Sequence, residues 1–84
     1  MNITYTADAW EQYLYWLEND KEIFQRLNTL IKDGKRSPFK GIGKPEPLKA
    51  NYKGYWSRRI NNEHRLIYAI SNNVLVIVQC RFHY

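Results

Sequence analysis

The stretch YWSRRINNEHRLIYAISNNVLVIVQCRFHY, residues 55–84, decides the fold. It holds three β-prone runs, Tyr55 to Ile60, His64 to Ile70 and Val74 to Phe82, parted by the polar clusters Asn61-Asn62-Glu63 and Ser71-Asn72-Asn73. Successive strand side chains point to opposite faces. The even positions Trp56, Ile60, Leu66, Tyr68, Ile70, Val74, Val76, Val78, Cys80 and Phe82 form the more apolar set, suited to packing under helices. If both connections are three-residue loops, that set stays on one face, and Arg59, Arg65, Arg81 and His83 share the other. A bulge would change the count. Leu75 and Ile77 also fall on the cationic parity, so that face is mixed.

Upstream, Ile3 and Tyr5 alternate with polar residues as a short first strand does, and Thr6 is placed to cap a helix that begins at Ala7. Trp10, Tyr13, Leu14 and Leu17 recur at helical spacing. Asn19 followed by Glu22 reads as a capping box that opens a second helix, whose buried stripe is Ile23, Leu27, Leu30 and Ile31. Gly34 is expected to end it. The predicted fold class is α+β: one domain over residues 1–84, with two N-terminal helices packed on a twisted, mostly antiparallel sheet.

Between helices and strands lies GKRSPFKGIGKPEP, residues 34–47, which contains three of the four glycines and all three prolines. A connection this long inside a compact domain is commonly functional. Pro45 and Pro47 restrict the backbone on both sides of Glu46, so its carboxylate is presented on an extended path. Leu48–Ala50 follows as a segment that can pair at a sheet edge.

The chain has 84 residues and a formal charge of +5, unevenly spread. Residues 1–34 carry three bases and six acids, whereas residues 35–84 carry ten bases, five of them arginine, against Glu46 and Glu63 alone. A field of that sign favours a polyanion as partner. The one cysteine, Cys80, lies in an apolar run and reads as a buried thiol, which rules out a disulfide framework. No apolar stretch is long enough to span a membrane and the N-terminus lacks a signal-peptide pattern, so the expected location is cytoplasmic, with no membrane partner.

Ser57, Arg59, Arg65, Arg81 and His83, approached by Lys44 and Lys49 from the loop, suit phosphodiester contact. Tyr52, Tyr55 and Tyr84 can stack on unpaired bases, which favours single-stranded RNA over duplex grooves. His64, at a turn exit, reads as structural or solvent-facing, whereas His83 lies on the cationic parity and is a candidate general acid. A Glu46 base, an Arg65 clamp and a His83 acid together suit RNA cleavage by the ribose 2′-hydroxyl, with no metal or other cofactor expected. Two non-catalytic readings use the same residues: an RNA-binding translation inhibitor, and an interaction protein whose basic face receives an acidic partner.

Glu46, Arg65 and His83, taken with DAWEQYLYW, KPEPLK, YWSRRINNEHRLIYA and CRFHY, give a sequence that resembles the YoeB/Txe toxins, within the wider RelE-like group, across nearly its whole length. That resemblance implies an mRNA interferase of a type II toxin-antitoxin system that cuts translated mRNA in the A site of the 70S ribosome. It implies Glu46 as general base, Arg65 as phosphate-stabilising residue, His83 as general acid and Tyr84 as the terminal substrate-positioning residue. Lys49 and Arg59 match basic positions that contact RNA, with Lys44, Arg58 and Arg81 assigned to RNA from the surrounding segments. The implied partners are a YefM/Axe-like antitoxin and a second toxin copy, with operator DNA reached through the antitoxin complex. The sequence departs from the family pattern mainly around Ala50 and Tyr52.

Overall fold

In the computed structural model, residues 1–83 are described. The chain runs through β1 (Asn2–Tyr5), α1 (Ala7–Asn19), α2 (Lys21–Arg36), β2 (Glu46–Pro47), a short 3₁₀ turn (Ala50–Tyr52), β3 (Trp56–Arg59), β4 (Arg65–Ser71) and β5 (Val74–Gln79). The five strands form one sheet in the order β1-β5-β4-β3-β2. β1 lies parallel to β5, and the other pairings are antiparallel. Two helices against a mixed sheet make an α+β fold.

Thr6 caps α1 by accepting the Ala9 N–H at 3.2 Å. The second cap sits one residue beyond the expected capping box: Asp20, not Asn19, accepts the Ile23 N–H at 3.1 Å. On α1 the buried positions are Ala9 and Trp16, while Trp10 and Leu17 are exposed. The Trp16 indole sets this rotation by donating to the Cys80 carbonyl at 2.8 Å. Trp10 instead stacks on Tyr13 at the edge of the fold. On α2, Leu27, Leu30 and Ile31 are buried as the periodicity requires.

Gly34 does not end α2, which continues to Arg36. It is buried within the last turn, where a Cβ would sit 3.8 Å from the Arg58 guanidinium and 3.9 Å from Leu75. The residue therefore serves close approach of the helix to the sheet instead of chain reversal.

The β4–β5 connection differs from the expected three-residue loop. Ser71 pairs with Val74, leaving a two-residue turn in which Asn72 and Asn73 both have positive φ, 51° and 61°. That is the type I′ geometry, which asparagine tolerates better than most residues. The shorter turn shifts β5 by one, and Tyr68 and Ile70 face Ile77 and Leu75. Residues opposite one another share a face. Leu75 and Ile77 therefore belong to the helix-covered core with Leu66, Tyr68 and Cys80, while Val74, Val76 and Val78 take the other face. A register shift beside Ile67/Tyr68 inserts Val78 as the extra residue, which returns Cys80 to the core side. β5 ends at Gln79, three residues before the expected Phe82, and Phe82 is 53% exposed. The edge strand is Glu46–Pro47, whereas Ala50 begins the 3₁₀ turn.

Candidate active site

The loop before β2 is organised from beneath by Arg58. This side chain is 0% exposed. Its Nη1 donates to Asp33 Oδ2 at 2.6 Å and to the Ile42 carbonyl at 3.1 Å, and its Nη2 donates to the carbonyls of Ser37 at 2.6 Å and Lys40 at 3.0 Å. Nε donates to the Tyr68 hydroxyl at 3.0 Å, which in turn donates to the Pro38 carbonyl at 2.6 Å. Arg58 is thus corrected from an RNA contact to a structural residue, because a guanidinium with five internal acceptors and no exposed surface cannot meet a phosphate. The ion pair, with help from the Ile42 N–H, holds the Asp33 carboxyl down at about 2. Burial raises the Tyr68 hydroxyl pKa above its ordinary value.

Gly41 and Gly43 let the loop lie this close. A Cβ on Gly41, at φ 120°, would fall 2.1 Å from Asp33 Oδ2; one on Gly43, at φ 79°, would fall 2.6 Å from Leu30. The Gly43 carbonyl then accepts the Arg59 N–H at 2.7 Å. Docked at this point, the chain enters β2 with Glu46 directly opposite Ser57.

Register carries the remaining geometry. Ser57 faces Ile67, and Ile67 faces Gln79, so Glu46, Ser57, Ile67 and Gln79 form one row across the face away from the helices. Arg59 faces Arg65 in the same parity two residues along β3, about 7 Å from that row. Glu46 and Arg59 are exposed. Arg65 is 8% exposed, with Nη1 held by the carbonyls of Asn61 at 2.7 Å and His64 at 3.1 Å. Its other guanidinium N–H groups make no hydrogen bond among the described residues.

Like charges directly across a strand pair are destabilising. Among the described residues, neither Arg59 nor Arg65 is in a salt bridge. Such a pair, anchored at one end and without a carboxylate partner among the described residues, is suited to an anion.

The tail reaches the same place. The Phe82 carbonyl accepts the Arg65 N–H at 3.0 Å, and His83, exposed, follows immediately. Glu46 lies on β2, two strands from Arg65 in the sheet, and His83 follows the residue bonded to Arg65. Tyr84 lies outside the described residues.

Lys44 and Lys49 are exposed on either side of β2, Lys44 with a positive φ of 52°. Arg81 is half-buried and lies with its Cζ 3.5 Å from the Tyr15 ring centroid and its Nε buried without a partner among the described residues. It packs against α1 and also lies 4.5 Å from the Phe82 ring centroid. A groove of about 310 Å³ next to the row is lined by Asn51, Tyr52, Tyr55, Ile67, Val78 and Gln79. A roomier one of about 500 Å³ beside the end of α2 is lined by Asp33, the partner of Arg58, and by none of the candidate site residues.

Gln12 had no signal in the sequence, yet its Oε1 accepts both the Cys80 and Arg81 N–H groups, at 2.8 and 3.1 Å. An amide side chain on a helix shows nothing of this role until the tail is placed against it.

Residues 5–84 match the family described as the YoeB-like toxin of bacterial type II toxin-antitoxin systems. The chain belongs to this toxin family. It is 58% identical to the toxin YoeB of Synechocystis, a match over all of this chain and 98% of the relative. Among solved structures, the YoeB/ParE toxin of Agrobacterium tumefaciens superposes with a TM-score of 0.97 at 46% identity, each chain covered in full. Staphylococcus aureus YoeB, solved in a YoeB-YefM complex, gives a TM-score of 0.92 at 46% identity over all of this chain and 98% of that one. It has also been solved as a YoeB dimer, with a TM-score of 0.92 at 47% identity and the same coverage.

Proposed function

We propose that this YoeB-family toxin is a ribosome-dependent endoribonuclease that cuts translated mRNA in the 70S ribosomal A site and so stops translation. The observation that supports the reading is a shared sheet face: register sets Arg59 opposite Arg65 and Glu46 opposite Ser57 in the same parity, and the residue before His83 is bonded to the Arg65 N–H.

In this mechanism Glu46 accepts the proton of the ribose 2′-hydroxyl as its oxygen attacks the adjacent phosphorus. Arg65, supported by Arg59, stabilises the charge on the pentacoordinate phosphorane. His83 gives its proton to the departing 5′-oxygen as the phosphorus–oxygen bond breaks. The products are a 2′,3′-cyclic phosphate and a 5′-hydroxyl. Lys44 and Lys49 contact flanking phosphates, Tyr52 and Tyr55 receive unpaired bases in their groove, and Tyr84 positions the substrate. Arg81 serves the RNA through the tail it stabilises against Tyr15. Every step uses side chains of the toxin, with no cofactor or metal.

The toxin acts in the cytoplasm, as one domain over residues 1–84, and is neutralised by a YefM/Axe-like antitoxin. It pairs with a second copy and reaches operator DNA through the antitoxin complex. The S. aureus YoeB-YefM complex and YoeB dimer, both close in fold and sequence, support the antitoxin and the second copy as partners.

Cleavage of ribosome-loaded mRNA by wild type, Glu46→Ala and His83→Ala tests the proposal. The expected result is site-specific scission by wild type, reduced at least 100-fold in each variant at equal ribosome occupancy, the lower range for loss of a positioned acid or base being about 10². Inhibition of translation with mRNA left intact would favour a non-catalytic ribosome-binding inhibitor instead.

A further inference from the structure

Past Gln79 the chain leaves the sheet, and side chains take over its backbone hydrogen bonds. Gln12 holds the N–H groups of Cys80 and Arg81, and Trp16 holds the Cys80 carbonyl. The next peptide groups fall to the β3–β4 turn: Phe82 donates its N–H to His64 Nδ1 at 2.7 Å, and its carbonyl accepts from the Arg65 N–H at 3.0 Å. Phe82 has a φ of 70°. A left-handed conformation is unfavourable for a non-glycine residue. The phenyl ring is 53% exposed, with the Arg81 guanidinium 4.5 Å from its centroid and the His64 ring 6.2 Å away. The two hydrogen bonds that flank Phe82 fix its peptide groups directly.

His64 is itself held fast. It is 7% exposed, and its ring stands edge-on to Trp16 with centroids 4.8 Å apart. Its N–H donates to Asn61 Oδ1 at 2.7 Å, and its carbonyl accepts from the Ile60 N–H at 3.0 Å and from Arg65 Nη1 at 3.1 Å. One residue thus grips the tail through its ring and the Arg65 guanidinium through its carbonyl. Because Nδ1 accepts from an amide, that nitrogen carries no proton, and the ring hydrogen belongs on Nε2, 3.9 Å from Glu63 Oε1.

We propose that His64 is a positioning residue of the active site: its Nδ1 fixes the left-handed turn at Phe82 that sets His83 beside Arg65. The inference rests on the reading of His83 as general acid, and it adds a residue that touches neither substrate nor reacting atoms. Misplacing a catalytic group by about 1 Å can cost about 100-fold in rate. Losing the acceptor frees the Phe82 peptide to leave the strained region and carries His83 with it.

Three variants separate geometry from bulk structure. His64→Asn keeps an acceptor near the place of Nδ1, His64→Gln moves it toward Nε2, and His64→Ala removes it. For each, amide hydrogen exchange at Phe82, ribosome binding and single-turnover mRNA cleavage are measured below the variant's own melting temperature. The Ala and Gln variants should lose at least tenfold of Phe82 protection and about 100-fold of cleavage rate, with ribosome binding within threefold of wild type. The Asn variant should recover both to within tenfold. If His64→Ala does not fold, the contrast between Asn and Gln carries the test. The proposal is overturned if Asn is as slow as Gln while both are folded, or if a variant with an unprotected Phe82 amide cleaves like wild type. Failure of the general-acid reading shows separately, as full cleavage by His83→Ala, whereas loss of Phe82 protection in His64→Ala reads the clamp alone.

Discussion

Replacing Arg58 by methionine separates a structural arginine from an RNA contact. Methionine fills a similar volume and removes the charge together with five internal hydrogen bonds, one of them the 2.6 Å ion pair with Asp33. Removing one partner of a buried ion pair typically costs about 3–5 kcal/mol. The loop carbonyls can regain water if the loop opens, so the remaining bonds add structural change more than energy. A chain of 84 residues has a total stability of only about 4–13 kcal/mol. At about 4–8 °C per kcal/mol for a domain of this size, the expected fall in Tm is at least about 12 °C. Calorimetry measures it, and amide exchange at Arg59, whose N–H is bound to Gly43, reports whether the loop that delivers Glu46 has come loose. Arg58→Lys, which keeps a charge for Asp33 without the planar fork, should fall between the two. A Tm within about 4 °C of wild type combined with weaker RNA binding would refute the reasoning and return Arg58 to the RNA surface.

The Asp33 carboxyl ionises at about 2 in the folded chain, against about 3.9 for an unfolded aspartate. Its stabilisation is therefore whole above about pH 4 and is lost as pH falls through about 2, so Asp33→Asn should flatten that part of the acid-unfolding curve relative to wild type. Burial pushes the Cys80 thiol up to about 12. Alkylation at pH 8 should accordingly be slow in the native chain and at least 100-fold faster in denaturant; fast native modification would place Cys80 outside the core. Asn73→Gly should leave Tm unchanged or raise it by a few degrees, because glycine favours the second position of a type I′ turn, whereas Asn73→Val should lower the unfolding free energy by about 1 kcal/mol or more. The opposite order would argue for the longer loop.

The β3–β4 hairpin was legible because Asn61-Asn62-Glu63 keeps parity, so Arg59 and Arg65 fell on one face from alternation alone. β5 was not. Ser71 joins the ladder, and only the ability of two successive asparagines to take positive φ makes a two-residue turn, an outcome that hydrophobic alternation does not specify. The bulge at Val78 then cancels the shift, so Cys80 was assigned to the core correctly although the three valines before it were not. Arg58 sits at an even position among core residues, which marks it as an inward-pointing charge, but its partner Asp33 is 25 residues away on α2. For the same reason Gly34 read as a helix stop: the guanidinium it makes room for comes from another element. Glu46 was legible as a presented carboxylate, whereas its alignment with Ser57 needed the two-residue strand β2, too short for a periodic signal.

The central claim, 2′-hydroxyl attack within this acid-base site, is tested most directly by an mRNA carrying a single 2′-deoxynucleotide at the mapped cleavage position. Programmed into ribosomes with the toxin, this message should bind as the all-ribose message does and remain uncut at that position. The all-ribose control should be cut to a 2′,3′-cyclic phosphate and a 5′-hydroxyl. Scission of the deoxy-substituted bond at a comparable rate would contradict the mechanism.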